Sequence, residues 1–130
     1  MLKTLVMLAM PALATTCAMP GPGTEAPAGL PAAMTGSWGL TAGDCLGGAA
    51  TKGLMEVTPT TLSFYESRAT LTRVVKRRDN RVVAEYDFTG EGMEWSRREV
   101  FTLRGPDGPL VRQEFIDDAD AGTFQYAPCD

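Results

Sequence analysis

Arg81-Val82-Val83-Ala84-Glu85-Tyr86-Asp87-Phe88-Thr89 decides the fold of this chain. Val82, Ala84, Tyr86 and Phe88 alternate with Arg81, Val83, Glu85, Asp87 and Thr89. A period of two belongs to a strand with one packed face and one mostly wet face. Upstream, Ala69–Arg78 is dense in β-branched residues. Asp79-Asn80 separates the two runs and marks a tight hairpin, since both residues tolerate positive φ. Downstream, Gly90-Glu91-Gly92 turns the chain into Glu94–Arg104. There Trp95 and Arg97 share a parity with Phe101 and Leu103, while Val100 falls on the other. The slip predicts either a bulge near Arg98-Glu99 or a strand with both faces partly covered.

Working outward, further strands are expected at Ser37–Leu40, Gly53–Thr58, Thr61–Glu66, Leu110–Ile116 and Thr123–Tyr126. Leu62 and Phe64 share one face of the third of these runs. Pro59-Thr60 and Gly105-Pro106-Asp107-Gly108 are turn signals. No stretch keeps a helical period. The pattern predicts an all-β domain of about eight strands, a small antiparallel up-and-down barrel or half-barrel. Closure removes exposed edges, and a lumen of that size holds side chains or one small ligand.

The first residues read as a targeting segment. Met1-Leu2-Lys3 is a short positive start, Thr4 to Ala14 is apolar, and small residues follow. Pro11 argues against a buried helix there. Ala18 to Met34 carries Pro20, Pro22, Pro27 and Pro31 with Gly and Ala between them and one charge, Glu25. Such a segment buries too little apolar surface to order itself, so a disordered tether is expected. The organisation is then a signal peptide at 1–17, a tether at 18–35 and a barrel domain at 36–130.

Composition excludes several functions. The 12 Lys and Arg against 16 Asp and Glu give a net charge of -4, which disfavours nucleic acid as a partner. With His 0, Ser-His-Asp and Cys-His catalysis and His-ligated zinc are excluded. Cys 3 rules out a four-thiolate metal site. Asp117, Asp118 and Asp120 lack the spaced ligands of a calcium loop and read as a solvated acidic loop. Glu56, Glu66, Glu94 and Glu99 are strand carboxylates expected at the surface. No nucleophile–base pair is visible, so neither an enzyme nor a cofactor is expected.

Leu13-Ala14-Thr15-Thr16-Cys17 resembles a bacterial lipoprotein signal. The resemblance implies cleavage before a lipidated Cys17; ordinary cleavage after Ala14 or near Ala18 is the alternative. With Cys17 lipidated, Cys45 and Cys129 remain as a pair, and in an exported protein they should form a disulfide. Gly36-Ser37-Trp38 resembles the opening strand of lipocalins in the calycin group, which implies a calycin-like barrel with Trp38 as an end plug. Gly36 to Leu40 with the following Cys45 is similar to the start of small secreted bacterial inhibitors of the metalloprotease-inhibitor type. Trp38, Asp44-Cys45 and Phe64-Tyr65-Glu66-Ser67, in that order, also resemble a group of small exported proteobacterial proteins that brings no activity with it.

Charge is uneven along the chain. Arg68 to Arg112 holds ten of the 12 bases against seven acids, and Gln113 to Asp130 holds five acids and no base. Arg73, Lys76, Arg77, Arg78 and Arg81 are a candidate patch for an anionic partner, against the reading of solvated strand faces. The glycine-rich loop Leu46 to Gly53 is the first place to seek a partner. Together these observations predict a periplasmic, lipid-anchored, non-enzymatic binding protein, monomeric and touching the membrane only through its lipid. Its partner would be an envelope protein or a small apolar ligand. The alternatives are an inhibitor of a secreted hydrolase, a protease or lysozyme, and a structural envelope protein.

Overall fold

A computed structural model describes residues 29–130. The expected signal peptide, Cys17 and most of the expected tether lie outside the described residues. Eight strands form one closed barrel in sequence order: β1 (Gly36–Gly39), β2 (Leu54–Val57), β3 (Thr61–Ser63), β4 (Arg68–Arg78), β5 (Arg81–Gly90), β6 (Met93–Leu103), β7 (Leu110–Ile116) and β8 (Ala119–Pro128). Neighbours are antiparallel, and β8 returns to pair with β1. The barrel is thus closed rather than half-open.

Antiparallel order sends the connections alternately to two ends. One end carries the β2–β3, β4–β5 and β6–β7 connections and the entering N-terminal residues. The other carries the β1–β2, β3–β4, β5–β6 and β7–β8 connections. We call them the plugged end and the far end.

The plug comes from the segment expected to be tether. Leu30 and Met34 are buried, and a single 3-10 turn, Ala32–Met34, caps the barrel. The Trp38 indole Nε1 donates to the Met34 carbonyl at 2.9 Å, and the Leu30 amide donates to Pro59 O at 2.9 Å. Gly108 closes over the Trp38 ring, where a Cβ would sit 3.2 Å from Cζ3. The folded part therefore starts before Gly36. Two apolar side chains among Pro and Ala carry no period, so composition hid them.

In β5 the buried residues Val82, Ala84, Tyr86 and Phe88 follow the expected alternation. β6 is regular, paired without a shift from Arg81↔Thr102 to Gly90↔Met93. There is no bulge at Arg98-Glu99, and the second expectation holds: Val100 lies on the outer face and is still buried. The irregularities fall instead in β4, between Leu71 and Arg73 and between Val74 and Lys76, and at Glu114/Phe115. Asp79-Asn80 makes its hairpin with Arg78 opposite Arg81. The left-handed turn residues are elsewhere. Asp117 and Asp118 have φ of 48° and 65° and form the two-residue β7–β8 turn, a conformation Asp tolerates.

Closure depends on few contacts. The β1–β8 ladder has only Trp38↔Pro128 and Gly39↔Ala127, extended by the Cys129 amide donating to Ser37 O at 2.8 Å. Beside it lies the Cys45–Cys129 disulfide, with Cα atoms 5.3 Å apart. β1 gives it room: a Cβ on Gly39 would lie 2.9 Å from the Cys45 Sγ. The bridge joins residues 84 apart in sequence, for which the chain-entropy ceiling is about 4–5 kcal/mol. We predict that Cys45→Ala/Cys129→Ala lowers unfolding stability in urea by about 2–4 kcal/mol. An unchanged midpoint would mean that the short ladder holds the barrel without the bridge.

Candidate functional site

Two adjacent strands turn charges inward. Trp95, Arg97, Glu99, Phe101 and Leu103 share the inner parity of β6, and Leu110, Arg112 and Glu114 that of β7. The register sets Glu99 opposite Glu114 and Phe101 opposite Arg112. Each charge then reaches diagonally for its opposite. Arg112 Nη1 donates to Glu99 Oε1 and Oε2 at 3.1 and 3.2 Å, and Arg97 Nε donates to Glu114 Oε1 at 3.1 Å. Arg112 Nη1 lies 3.8 Å from Glu114 Oε2, which joins the two pairs. Side-chain exposure falls along the row, from 23% at Arg97 and 22% at Glu114 to 8% at Arg112 and 0% at Glu99. Solvent thus reaches the row from the Arg97 side, toward the far end.

Aromatic rings hold the row in place. The Arg112 guanidinium carbon lies 4.8 Å from the Phe64 ring centroid and 4.5 Å from that of Phe124. Phe64 stacks on Phe88 at 6.1 Å, and Phe88 on Trp95 at 5.6 Å. Trp95, Phe88, Phe64, Arg112 and Phe124 therefore form one continuous stack across the lumen. Its members come from β6, β5, the β3–β4 connection, β7 and β8. Arginine suits this position because a planar guanidinium can stack on both faces while its edge donates hydrogen bonds.

Burial and pairing compete at Glu99. Burial pushes its carboxyl up, Arg112 pulls it down, and burial wins, leaving it at about 7. At Arg112 burial works against the charge, but Glu99 foremost, with Tyr126 and Glu114, holds the guanidinium above its ordinary value. Burial also raises the Tyr86 and Tyr126 hydroxyls. Among the described residues, the Tyr86 hydroxyl and Arg112 Nε have no hydrogen-bond partner. They are the two points where a further polar atom would be satisfied.

The outer wall carries a different arrangement. Arg73–Glu85 at 3.2 Å, Glu85–Arg98 at 3.1 Å and Arg98–Asp118 at 3.3 Å make a cross-strand ladder. Arg73, then Arg98, holds the Glu85 carboxyl below its usual value. The ladder borders a surface concavity of about 410 Å³ reaching Thr72, Asp87 and Phe115. Exposed pairs of this kind add little stability. Arg73 therefore leaves the expected basic patch, because Glu85 neutralises it. Lys76, Arg77, Arg78 and Arg81 do stand together at the β4–β5 tip, all exposed. Arg104 joins them, since the Leu103 amide bonds to Asn80 O in that tip at 2.8 Å.

Trp38 is 4% exposed and sits in the plug. Glu56, Glu66 and Glu94 are exposed as expected, but Glu99 is wholly buried, a correction that follows from its inward parity. Exposed apolar residues collect at the far end: Leu40, Tyr65, Met93 and Ile116 border four different connections there. Leu46, in the long β1–β2 connection, is 89% exposed. Among the described residues, no group of three His, Cys, Asp or Glu is placed to hold a metal ion. No family model, curated protein or solved structure matches the chain.

A carboxyl raised by burial has a defined effect on stability. Above the ordinary carboxylate range the unfolded chain releases the Glu99 proton, while the folded chain keeps it until about pH 7. The folded state binds more protons in that window, so stability falls as pH rises through it. Glu99→Gln should remove this fall, so the stability of the native chain relative to that variant declines between about pH 5 and 8. Glu85 acts in the opposite sense at lower pH in both proteins, so the difference isolates Glu99. A difference that stays flat across this window would show an ionised pair throughout. Above about pH 7, where Glu99 is ionised, Arg112→Leu strands its charge and should cost about 3–5 kcal/mol, and Glu99→Leu/Arg112→Leu should recover most of it.

Proposed function

We propose that this chain is an exported, non-enzymatic binding protein, tethered to a membrane through a lipidated Cys17, that recognises a protein partner with the far end of its barrel. The observation that carries this reading is the filled lumen. A stack of four rings and a guanidinium crosses it, and a buried ion pair lies beside the stack. A charged interior without a large apolar chamber does not suit a small apolar ligand. The far end instead offers half-buried Trp95, Phe64 and Phe124, solvent-reached Arg97 and Glu114, and the apolar rim of Tyr65, Met93 and Ile116. Aromatic, Met and Arg side chains are the residues enriched where proteins meet. A disulfide is compatible with an oxidising, exported compartment.

One observation favours the inhibitor reading. Leu46 follows directly on the bridged Cys45 and is almost fully exposed. A pinned loop with one protruding apolar side chain suits insertion into a hydrolase cleft, because the fold has already ordered it.

The two readings separate by substitution in the full exported chain, used as bait in envelope extract. Tyr65→Asp/Met93→Asp/Ile116→Asp should abolish capture of the partner that the native chain retains. Leu46→Asp should leave capture intact. The reverse pattern, with hydrolase activity falling in the presence of the native chain only, favours the inhibitor. Mass spectrometry of the mature protein tests the tether: an acyl mass on an N-terminal Cys17 supports it, and a start at Thr15 or Met19 removes it.

A further inference from the structure

We infer that the plugged end is a footprint for an anionic lipid surface, on which the barrel stands with its far end pointing away. The inference rests on the tethered reading above, because it is the tether that brings this end to a bilayer. Three observations on the fold converge on it.

First, the cations at this end are uncompensated. Lys76, Arg77, Arg78 and Arg81 at the β4–β5 tip and Arg104 beside it form no salt bridge among the described residues. Of the other strand arginines, Arg73, Arg97, Arg98 and Arg112 do, and Arg68 at the opposite end does not. Asp79 and Asp107 are the acids of those two turns, and Glu56 and Asp130 lie near the same end without bonding to these cations. The chain as a whole is acidic, at -4, so the molecule carries its charges as a dipole. Glu66, Glu91, Asp117 and Asp118 occupy the turns of the opposite end. Such a dipole turns its basic pole toward an anionic plane.

Second, the arrangement opposes the fold. Arg78 and Arg81 are directly opposite one another across the hairpin. Like charges at directly opposed positions destabilise a strand pair. An acid at either position would have stabilised the same turn, so local stability does not explain the two arginines.

Third, the chain enters the fold at this place. Arg77 Nε donates to the Gly29 carbonyl at 2.9 Å, so whatever precedes Gly29 arrives beside the basic tip. From Cys17 to Gly29 an extended chain spans at most about 40 Å. A lipid on Cys17 therefore holds the plugged end within that distance of the headgroups, and the tether raises its effective concentration there. A soluble polyanion gains nothing from this placement, which is why a bilayer is the partner of choice. Each Lys or Arg at an anionic surface strengthens binding about 5-fold.

The test uses the full exported chain carrying Cys17→Ser, so that no lipid contributes to binding. It is sedimented with vesicles of phosphatidylethanolamine and phosphatidylglycerol, and with vesicles of phosphatidylcholine alone. Binding is expected to the first, not to the second, and to fall steeply with added salt. Arg78→Gln/Arg81→Gln/Arg104→Gln should lower the partition coefficient by on the order of 100-fold. It should also leave the thermal midpoint unchanged or raised, since it removes a repulsion. Lys52→Gln/Arg68→Gln, whose positions lie outside this end, should change nothing. Equal binding to neutral vesicles, or no loss in the triple variant, overturns the footprint. Retention on an acidic polysaccharide with no binding to either vesicle also overturns it, in favour of a polymer. Should Cys17 prove unacylated while anionic vesicles still bind, the tether fails and the footprint stands.

Discussion

The barrel is organised around one guanidinium. Arg112 lies between the rings of Phe64 and Phe124, donates to both oxygens of Glu99 and approaches Glu114. Its neighbours come from four separate parts of the chain, so its placement fixes how those parts sit across the lumen. Stripping water from a charged pair is costly, and apolar residues of similar volume are often at least as stabilising. What an apolar set would lack is directionality: two ring faces and two carboxylate oxygens fit the fork in one way. The pair therefore contributes to a single inner arrangement more than to net stability.

That arrangement makes the two ends chemically different. At the plugged end, Trp38, Leu30 and Met34 form an apolar stopper tied by one indole hydrogen bond, with exposed cations outside it. At the far end, rings and charges alternate up to the solvent, with apolar side chains on the rim. The lumen of this barrel is crossed by a stack of rings and a guanidinium. Its two ends are surfaces with distinct chemistry, and part of the outer wall between them carries the exposed Arg73–Glu85–Arg98–Asp118 ladder.

Much of the fold was legible because strand patterning is local. The alternation over Arg81–Thr89 needed no knowledge of its neighbours, and cysteine parity gave the bridge. The inner charges were not legible for the same reason. Arg97 and Glu99 sit at positions where an apolar residue belongs, so a regular strand looked as though its phase had slipped. The decisive signal lay in two strands at once. Leu110, Arg112 and Glu114 repeat the same anomaly at the register that faces it, and opposite charges at matched inward positions announce a buried pair. Leu30 and Met34 escaped because two isolated apolar residues among prolines and alanines carry no period. Sequence proximity groups Arg73 with the tip, whereas the irregular course of β4 and its opposition to Glu85 put it on the outer wall. Arg104 carries no local signal, because its neighbours in space are distant in sequence.

The way the barrel shuts also sets when it can exist. β1 finds its second partner only in Ala127 and Pro128, and Cys45 finds its own only in Cys129. A chain is made, and threaded through any pore, from its first residue onward. The opening strand must therefore wait with one edge bare until Ala127 and Pro128 have been made, and long-range pairing of this kind forms slowly. A transcript truncated even at Tyr126 yields a molecule with neither ladder nor bridge at its join. Residues 127–129 thus act as a proofreading step: a polypeptide that stops before them cannot form the β1–β8 join.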